Sequence, residues 1–347
     1  MTGSLLDLEN LKIRLYFRVN NQQATIKYIS SFLPERILTN HELVETVATS
    51  DDWIQQRTGI KERRIAENSQ ASSDLGIAAC KKLLHENNLA PSDIDLIIVA
   101  TMSPDFIAPS TASIIQHGIG AVNAASLDVG AACAGYIYGL STAKAYIEAN
   151  LAKRVLFVAA EKMSSLVNYK DRATCILFGD GASAALIEKG GEGLAIGQIV
   201  LGSDGSQSHL IKIPAGGSRE PATKETVLAD KHFLSMEGPE VFKQAIRKMG
   251  SSLETCLSLA KVKLDDITYF IPHQANIRII DALAKQFGLS DEKVWKTVDK
   301  HGNTSAASIG LALDDLLSIH PLERGDLIAL TGIGSGLSFG SIILKKI

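Results

Sequence analysis

Two stretches of this 347-residue chain, about 170 residues apart, carry one pattern. In the first, Ala125 to Val129 alternates as a short buried strand does. After Cys133 the run A-G-Y-I-Y-G-L-S-T-A-K-A-Y-I places apolar residues at helical spacing. In the second, K-T-V-D-K-H-G-N-T-S-A-A-S-I-G-L-A-L repeats the turn and the small-residue helix around Asn303. The strands expected around Ile94 to Ile98 and Ile267 to Ile271 match in the same way, as do Val155 to Ala159 and Leu327 to Leu330. Such a duplication implies two similar α/β halves packed on each other. The strands are apolar throughout and alternate with helices, so the sheets are parallel or mixed and covered on both faces. No Pro/Ser-rich linker separates the halves, which points to one compact unit. The chain therefore divides into an extension over residues 1–23, an N-terminal half over 24–188 and a C-terminal half over 189–347.

The remaining elements are read from periodicity and caps. Thr25 to Phe32 reads as a strand, and Asn40 to Val47 as a helix with Asn40 as its N-cap. Helices are expected over Ser73 to Asn87 and from Ser110 to Gly118, and a buried strand over Arg154 to Ala160. The segment Ile176 to Ile187 contains Gly179-Asp180-Gly181, which reads as a tight turn before a strand.

Composition excludes several classes of function. The chain is 46% hydrophobic and 21% charged with a formal net charge of −3, so no basic excess points to nucleic acid. Cys80, Cys133, Cys175 and Cys256 form no C-x-x-C pair and no zinc spacing, and reduced thiols are expected. No metal site is expected. No run of about 18 apolar residues spans a membrane. Residues 7–18 carry charges where a signal peptide would be apolar, so a cytoplasmic location is expected.

Cys133 stands where the first strand turns into its helix, flanked by small residues. A thiol at a helix N-terminus feels the positive end of the dipole, which favours thiolate. The same features also describe a buried structural cysteine. Three other polar stretches sit at comparable turns: I-P-H-Q-A-N with His273, H-G-N-T-S-A-A-S with Asn303, and the glycine-rich T-G-I-G-S-G-L-S-F-G from Thr331. Singly, each reads as a structural histidine, a helix cap or an ordinary turn. A further segment, T-S-D-D-W-I-Q-Q-R-T-G-I-K-E-R-R, sets Trp53 among basic residues. It can be a capped helix with a solvated face, or a nucleotide contact by stacking and charge.

Taken together, in this order, these stretches resemble the β-ketoacyl-acyl carrier protein synthase III family of thiolase-fold condensing enzymes, from about Ile26 to Ile347. The resemblance rests on D-V-G-A-A-C-A-G, P-H-Q-A-N, H-G-N-T-S-A-A-S, T-S-D-D-W-I-Q-Q-R-T-G-I and I-L-F-G-D-G-A. It implies an α/β thiolase fold, two βαβ-type halves in a five-layer αβαβα sandwich. It implies a Cys133–His273–Asn303 triad and an oxyanion hole of the Cys133 and Ser335 N–H groups. The matching coenzyme A contacts are Thr49, Trp53, Arg57, Arg172 and Gly238. Ala108 and Phe178 match acyl-pocket positions, and Lys243, Arg278 and Lys285 a basic patch for an acidic carrier protein. The implied substrates are an acyl-CoA and malonyl-acyl carrier protein, with coenzyme A entering as substrate thioester and no bound cofactor. The implied assembly is a homodimer.

Three positions depart from the family pattern. M-E-G-P, Met236 to Pro239, puts proline where an asparagine is common. Gly334-Ser335-Gly336 replaces three glycines. Ala108 stands where a larger side chain usually crosses the dimer interface to floor the partner's acyl pocket. Two other readings compete with the fatty-acid initiating synthase. One is a related condensing enzyme of a specialised, polyketide-type pathway. The other is a non-catalytic thiolase-fold partner subunit, against which the intact Cys133, His273 and Asn303 argue. A thiolase would carry a second cysteine near the C-terminus, and the turn after Thr331 has none.

Overall fold

The computed structural model describes residues 23–347, so the extension up to residue 22, with its leucines, lies outside the described residues. Nine strands build the main sheet: β1 (Ala24–Phe32), β2 (Leu96–Ala100), β3 (Ala125–Val129), β4 (Arg154–Lys162), β5 (Asp180–Lys189), β6 (Leu194–Ser203), β7 (Tyr269–Pro272), β8 (Leu327–Gly334) and β9 (Ser338–Lys346). Their order is β7-β8-β9-β6-β1-β5-β4-β2-β3. The join in the middle is narrow, because β1 and β6 pair only at Thr25↔Ala195 and Ile26↔Leu194.

Each side of that join has the same wiring. On one side β2 runs parallel to β4, and β4, β5 and β1 follow antiparallel. On the other side β7 runs parallel to β8, and β8, β9 and β6 follow antiparallel. The counterpart of β3 in the second half has shrunk to a single parallel bridge, Phe270↔Val294.

Seven helices matter for the site: α1 (Asp51–Thr58), α2 (Ser72–Glu86), α3 (Thr111–Ile119), α4 (Gly135–Glu148), α5 (Gly238–Ala260), α6 (Ile277–Phe287) and α7 (Ala307–Ile319). One core unites Ile98 and Phe157 of the first half-sheet with Leu330 and Ile342 of the second. Between them lie Tyr136 and Leu140 of α4 and Ile309 and Leu313 of α7. The opposite faces of the same strands are covered from outside. Leu75 and Ile115 of α2 and α3 pack on Ile97 and Val158. Met249 and Ile280 of α5 and α6 pack on Phe270 and Ile343. The layers are helix, sheet, helix, sheet, helix, which is why the strands are apolar on both faces.

The small residues of α4 serve close approach. A Cβ at Gly139 would lie 2.0 Å from the Phe157 ring, and one at Gly135 would lie 3.1 Å from the Ala306 Cβ. The N-termini of the two central helices are thus pressed together.

Three expectations are corrected. β3 is not buried: Ala125 and Asp128 are exposed, because β3 is the sheet edge and β2 is its one neighbour. Its Asp128 caps α3, accepting from the Thr111 and Ala112 N–H groups at 2.8 Å each. The helix at residue 40 ends at Val44 and is capped by Thr39. Asn40 is buried instead, donating to Asp51 and to the Ile60 carbonyl and accepting from Arg63. Gly179-Asp180-Gly181 is the start of β5 rather than a tight turn. A Cβ at Gly179 would sit 2.3 Å from the His301 carbonyl oxygen, so the glycine answers crowding, not turning.

Candidate active site

After Val129 the chain turns through Ala132, whose φ is +46°, into a short 3₁₀ turn (Ala132–Ala134) and then α4. This fixes Cys133 at the helix entrance. Gly334, at the end of β8, closes on it: an added Cβ would lie 2.6 Å from the Cys133 amide nitrogen. That contact carries the following Ser335 peptide up to the cysteine turn. Ser335 is anchored by its hydroxyl, which donates to the Ile211 carbonyl at 2.6 Å.

The expected thiolate is not the resting state. Burial pushes the Cys133 thiol up to about 12, and the Glu161 carboxylate adds to the rise. The Ser305 hydroxyl and the cysteine's own amide pull the other way. Met102, Phe178 and Ile333 line the same cavity as the sulfur, and the loss of water outweighs the helix end.

His273 follows β7, with its N–H donating to the Thr331 carbonyl at 2.8 Å. Its Nδ1 lies 2.6 Å from the Ser308 hydroxyl, which also accepts the Gln274 N–H at 3.3 Å. Ser308 can then donate its one hydrogen to Nδ1, which leaves Nε2 as the protonated nitrogen. Burial lowers the imidazole to about 3, so it is neutral across the physiological range.

Asn303 is held by backbone on both sides. Its N–H donates to the Leu177 carbonyl at 2.8 Å, and its carbonyl accepts from Gly179 at 3.1 Å. Its side-chain oxygen accepts the Ser305 N–H at 2.8 Å. With Oδ1 occupied, the amide NH₂ is the group left to donate.

These three side chains line one cavity of about 650 Å³, the size of a small-molecule site. Trp53, Arg57, Phe178, Gly238, Lys243, Arg278 and Ser335 line it too. Trp53 is on α1, whose N-cap Ser50 accepts the Trp53 N–H at 3.2 Å, so this segment is a capped helix and a cavity wall at once. The Arg172 guanidinium lies 4.6 Å and that of Arg57 5.5 Å from the indole centroid. Arg172 also donates to the Ala48 carbonyl at 3.0 Å, beside Thr49.

Thr49, Arg172, Ala108 and Lys285 are not among the cavity-lining residues. Ala108 is exposed. Lys285 sits seven residues beyond Arg278 on α6, which is two turns along the same face. Lys243 is exposed and pairs with Glu240 at 3.4 Å, while Arg278 lies 5.2 Å from the Phe242 ring centroid.

Sequence reasoning missed three residues around the triad: Glu161, Ser305 and Ser308. Glu161 ends the apolar run R-V-L-F-V-A-A, and a charge closing an all-apolar strand was the signal available. It also missed the apolar wall of Met102, Ile176, Leu234 and Ile333, which comes from four separate segments.

Comparisons with known proteins give the family of the chain. Residues 127–205 match the family model for 3-oxoacyl-[acyl-carrier-protein] synthase III, and residues 257–346 that for its C-terminal part. The beta-ketoacyl-[acyl-carrier-protein] synthase III of Chlamydia muridarum is 47% identical over 325 residues, 93% of this chain and 99% of its own. The crystal structure of the Aquifex aeolicus 3-oxoacyl-[acyl-carrier-protein] synthase III aligns with a TM-score of 0.85 at 39% identity. That alignment covers 93% of this chain and 99% of the other. The priming β-ketosynthase of the R1128 polyketide pathway aligns with a TM-score of 0.86 at 33% identity over 93% and 96% of the two chains. The chain belongs to the β-ketoacyl-[acyl-carrier-protein] synthase III family.

Proposed function

We propose that this enzyme starts fatty acid synthesis by condensing an acyl-CoA primer with malonyl-acyl carrier protein, in two half-reactions through an acyl-Cys133 intermediate. The observation that carries the reading is one cavity in which a cysteine, a neutral histidine and an oriented asparagine amide converge. A thiol suits the first half-reaction because it is both a good nucleophile and a good leaving group. The Cys133 and Ser335 N–H groups hold the oxyanion of that step. Loss of CO₂ from the malonyl thioester then leaves an enolate, and His273 Nε2–H and the Asn303 amide supply two neutral donors to its oxygen. One such donor is worth about 2.7–4 kcal/mol of barrier. The enolate attacks acyl-Cys133, the β-ketoacyl product leaves on the carrier, and Cys133 is regenerated.

Trp53, Arg57 and Arg172 suit the adenine and phosphates of coenzyme A, and the family resemblance adds Thr49 and Gly238 as further contacts. Lys243, Arg278 and Lys285 offer positive charge at the mouth to an acidic carrier protein. Phe178 belongs to the acyl wall. For the assembly, β3 is a sheet edge, and Phe106, Ile107 and Val122, which precede it in the chain, are exposed, the last two 90% and 76%. Pairing β3 edges across a two-fold axis covers them and carries Ala108 toward the partner's cavity. With a methyl group there, primers longer than acetyl fit. Each added CH₂ gains about 0.8 kcal/mol, and Ala108→Phe is expected to shift kcat/KM from octanoyl- toward acetyl-CoA.

Intact mass after incubation with a panel of acyl-CoAs tests the reading, followed by peptide mapping and addition of malonyl-carrier protein. One acyl group on Cys133, discharged as β-ketoacyl product, is expected. Acylation of Cys80, Cys175 or Cys256, or turnover by Cys133→Ala, refutes it. The same panel separates a fatty-acid primer from an unusual acyl group of a specialised pathway.

A further inference from the structure

We propose that Ser305 and Glu161 form a proton relay that takes the thiol hydrogen of Cys133 during acylation. This rests on Cys133 being the acylated nucleophile. Glu161 is the next-to-last residue of β4 and is fully buried. Among the described residues it has no Lys, Arg or His ion-pair partner. Its two oxygens differ. Oε2 accepts from the Thr101 hydroxyl at 3.0 Å, the Met102 N–H at 3.0 Å, the Ser103 N–H at 3.2 Å and the Ser103 hydroxyl at 2.7 Å. Among the described residues Oε1 accepts from the Ala306 N–H alone, at 3.3 Å, and has a lone pair to spare.

The residue beside Ala306 is Ser305, also fully buried, with φ at +50° and its N–H tied to Asn303. Its hydroxyl makes no hydrogen bond of regular distance and angle with any of the described residues. Yet Ser305 stands next to Ala306, whose N–H meets Glu161 Oε1 at 3.3 Å, and it works against the rise that burial imposes on the Cys133 thiol and the Glu161 carboxyl. The approach of Gly135 to Ala306 keeps the cysteine turn and the serine turn together. A buried hydroxyl without a settled partner, on the turn that meets both the cysteine helix and a carboxylate with one free lone pair, is the arrangement a relay needs.

The step balances without an outside reagent. Sulfur gives its proton to the Ser305 oxygen as Ser305 gives its own to Glu161 Oε1. The thiolate attacks the acyl-CoA carbonyl, the C–S bond to coenzyme A breaks, and that thiolate takes the proton back from Glu161 through Ser305. In the second half-reaction Cys133 leaves as thiolate and is reprotonated from solvent. Burial raises the Glu161 carboxyl, which narrows its gap from the thiol.

The test is single-turnover acylation by acetyl-CoA, followed by quench and intact mass, beside CO₂ release from malonyl-CoA. Ser305→Ala removes a hydroxyl without a regular partner and is expected to melt as the wild type does. Its acylation at pH 7 is expected to fall on the order of 100-fold. The deficit narrows toward pH 10 as hydroxide replaces the relay, while CO₂ release stays within about threefold of wild type. Glu161→Gln, where it folds, gives a similar loss, and the double variant loses little more. Wild-type acylation by Ser305→Ala overturns the relay, as does an equal loss in both half-reactions or a deficit that ignores pH. Absence of acyl-Cys133 in the wild type overturns the nucleophile assignment itself.

Discussion

The turn at Cys133 and the turn at Asn303 are the same element built twice. Each precedes a central helix, α4 or α7, and each carries a positive φ on the residue just before the functional one: Ala132 at +46° and Gly302 at +64°. They differ in what feeds them. Before Cys133 stands a full strand, β3, at the open edge of the sheet. Before Asn303 the matching strand has dwindled to the bridge at Val294, and the turn leans on Phe178 of the other half. On the proposed mechanism, one copy supplies the side chain that reacts, beside an open strand edge. The other offers an oriented donor clamped by its neighbours. Duplication supplies two converging helix entrances, and divergence assigns them different chemistry.

The sharpest break of this comparison removes each functional side chain in turn. Cys133→Ala is expected to abolish acyl-enzyme and lower condensation on the order of 10⁴-fold or more, since Cys133 is the one cysteine among the described residues that line the cavity. Asn303→Ala is expected to keep acylation near wild type and to slow malonyl decarboxylation about 10²- to 10³-fold, the cost of one oxyanion donor. His273→Ala should behave like Asn303→Ala. Quenched-flow acylation and CO₂ release read the two steps separately. A variant of His273 or Asn303 that decarboxylates at the wild-type rate refutes the division of labour.

Gly334→Ala sharpens the same contrast. The new methyl meets the Cys133 amide nitrogen at 2.6 Å and the Ala134 nitrogen at 2.9 Å, both backbone atoms that cannot swing aside. Overpacking of this kind costs about 1–3 kcal/mol. Acylation should fall about 10- to 100-fold, with decarboxylation less affected, because the Asn303 turn is not touched. Equal losses in the two steps would show that the turns are not independent.

The titration of the two groups tests the electrostatics. With Cys133 pushed up to about 12 and His273 down to about 3, both are neutral between these limits. The difference in thiolate absorbance between wild type and Cys133→Ala is expected to stay flat from pH 5 to 9 and to rise only above that. A step near neutral pH would mean a thiolate–imidazolium pair and would refute the neutral assignment.

Much of this was legible in the sequence because the duplicated pattern is long and its strands are apolar on both faces. The five layers follow from that, and the order Cys133, His273, Asn303 marked the family before any contact was known. What stayed hidden has two physical causes. The state of Cys133 depends on how much water the walls exclude, and those walls come from Met102, Ile176, Leu234 and Ile333, far apart in the chain. Glu161 accepts the Ala306 N–H across the two halves, the Ser305 N–H holds Asn303, and Ser308 meets His273 from another element of the same half; no periodicity records such contacts. The reading of β3 as buried failed for a related reason: A-S-L-D-V alternates alike for a central and an edge strand, and only sheet order tells them apart.

The smallest predicted effect separates the two turns by their backbone. Ala132 has a φ of +46°, where a Cβ costs about 1–2 kcal/mol, and Gly302, at φ +64° and ψ −161°, lies in a region that is almost glycine's alone. Replacing glycine by alanine also stiffens the unfolded chain, which returns about 0.4–1 kcal/mol. For Ala132→Gly the two terms run in opposite directions and nearly cancel, so its stability should stay within about 1 kcal/mol of wild type. For Gly302→Ala a third term enters, because the new methyl would sit 2.8 Å from the Leu177 carbonyl oxygen, an acceptor already bound to the Asn303 N–H. Overpacking adds about 1–3 kcal/mol there, so Gly302→Ala should be clearly destabilised and should slow decarboxylation, because the displaced backbone is the one that aims Asn303. Thermal melting of the two single variants decides it: the C-terminal turn is expected to lose and the N-terminal turn to hold. Equal losses would mean that Cys133 sits in a turn as tightly clamped as that of Asn303, and the contrast between a reacting copy and a clamped copy would fall.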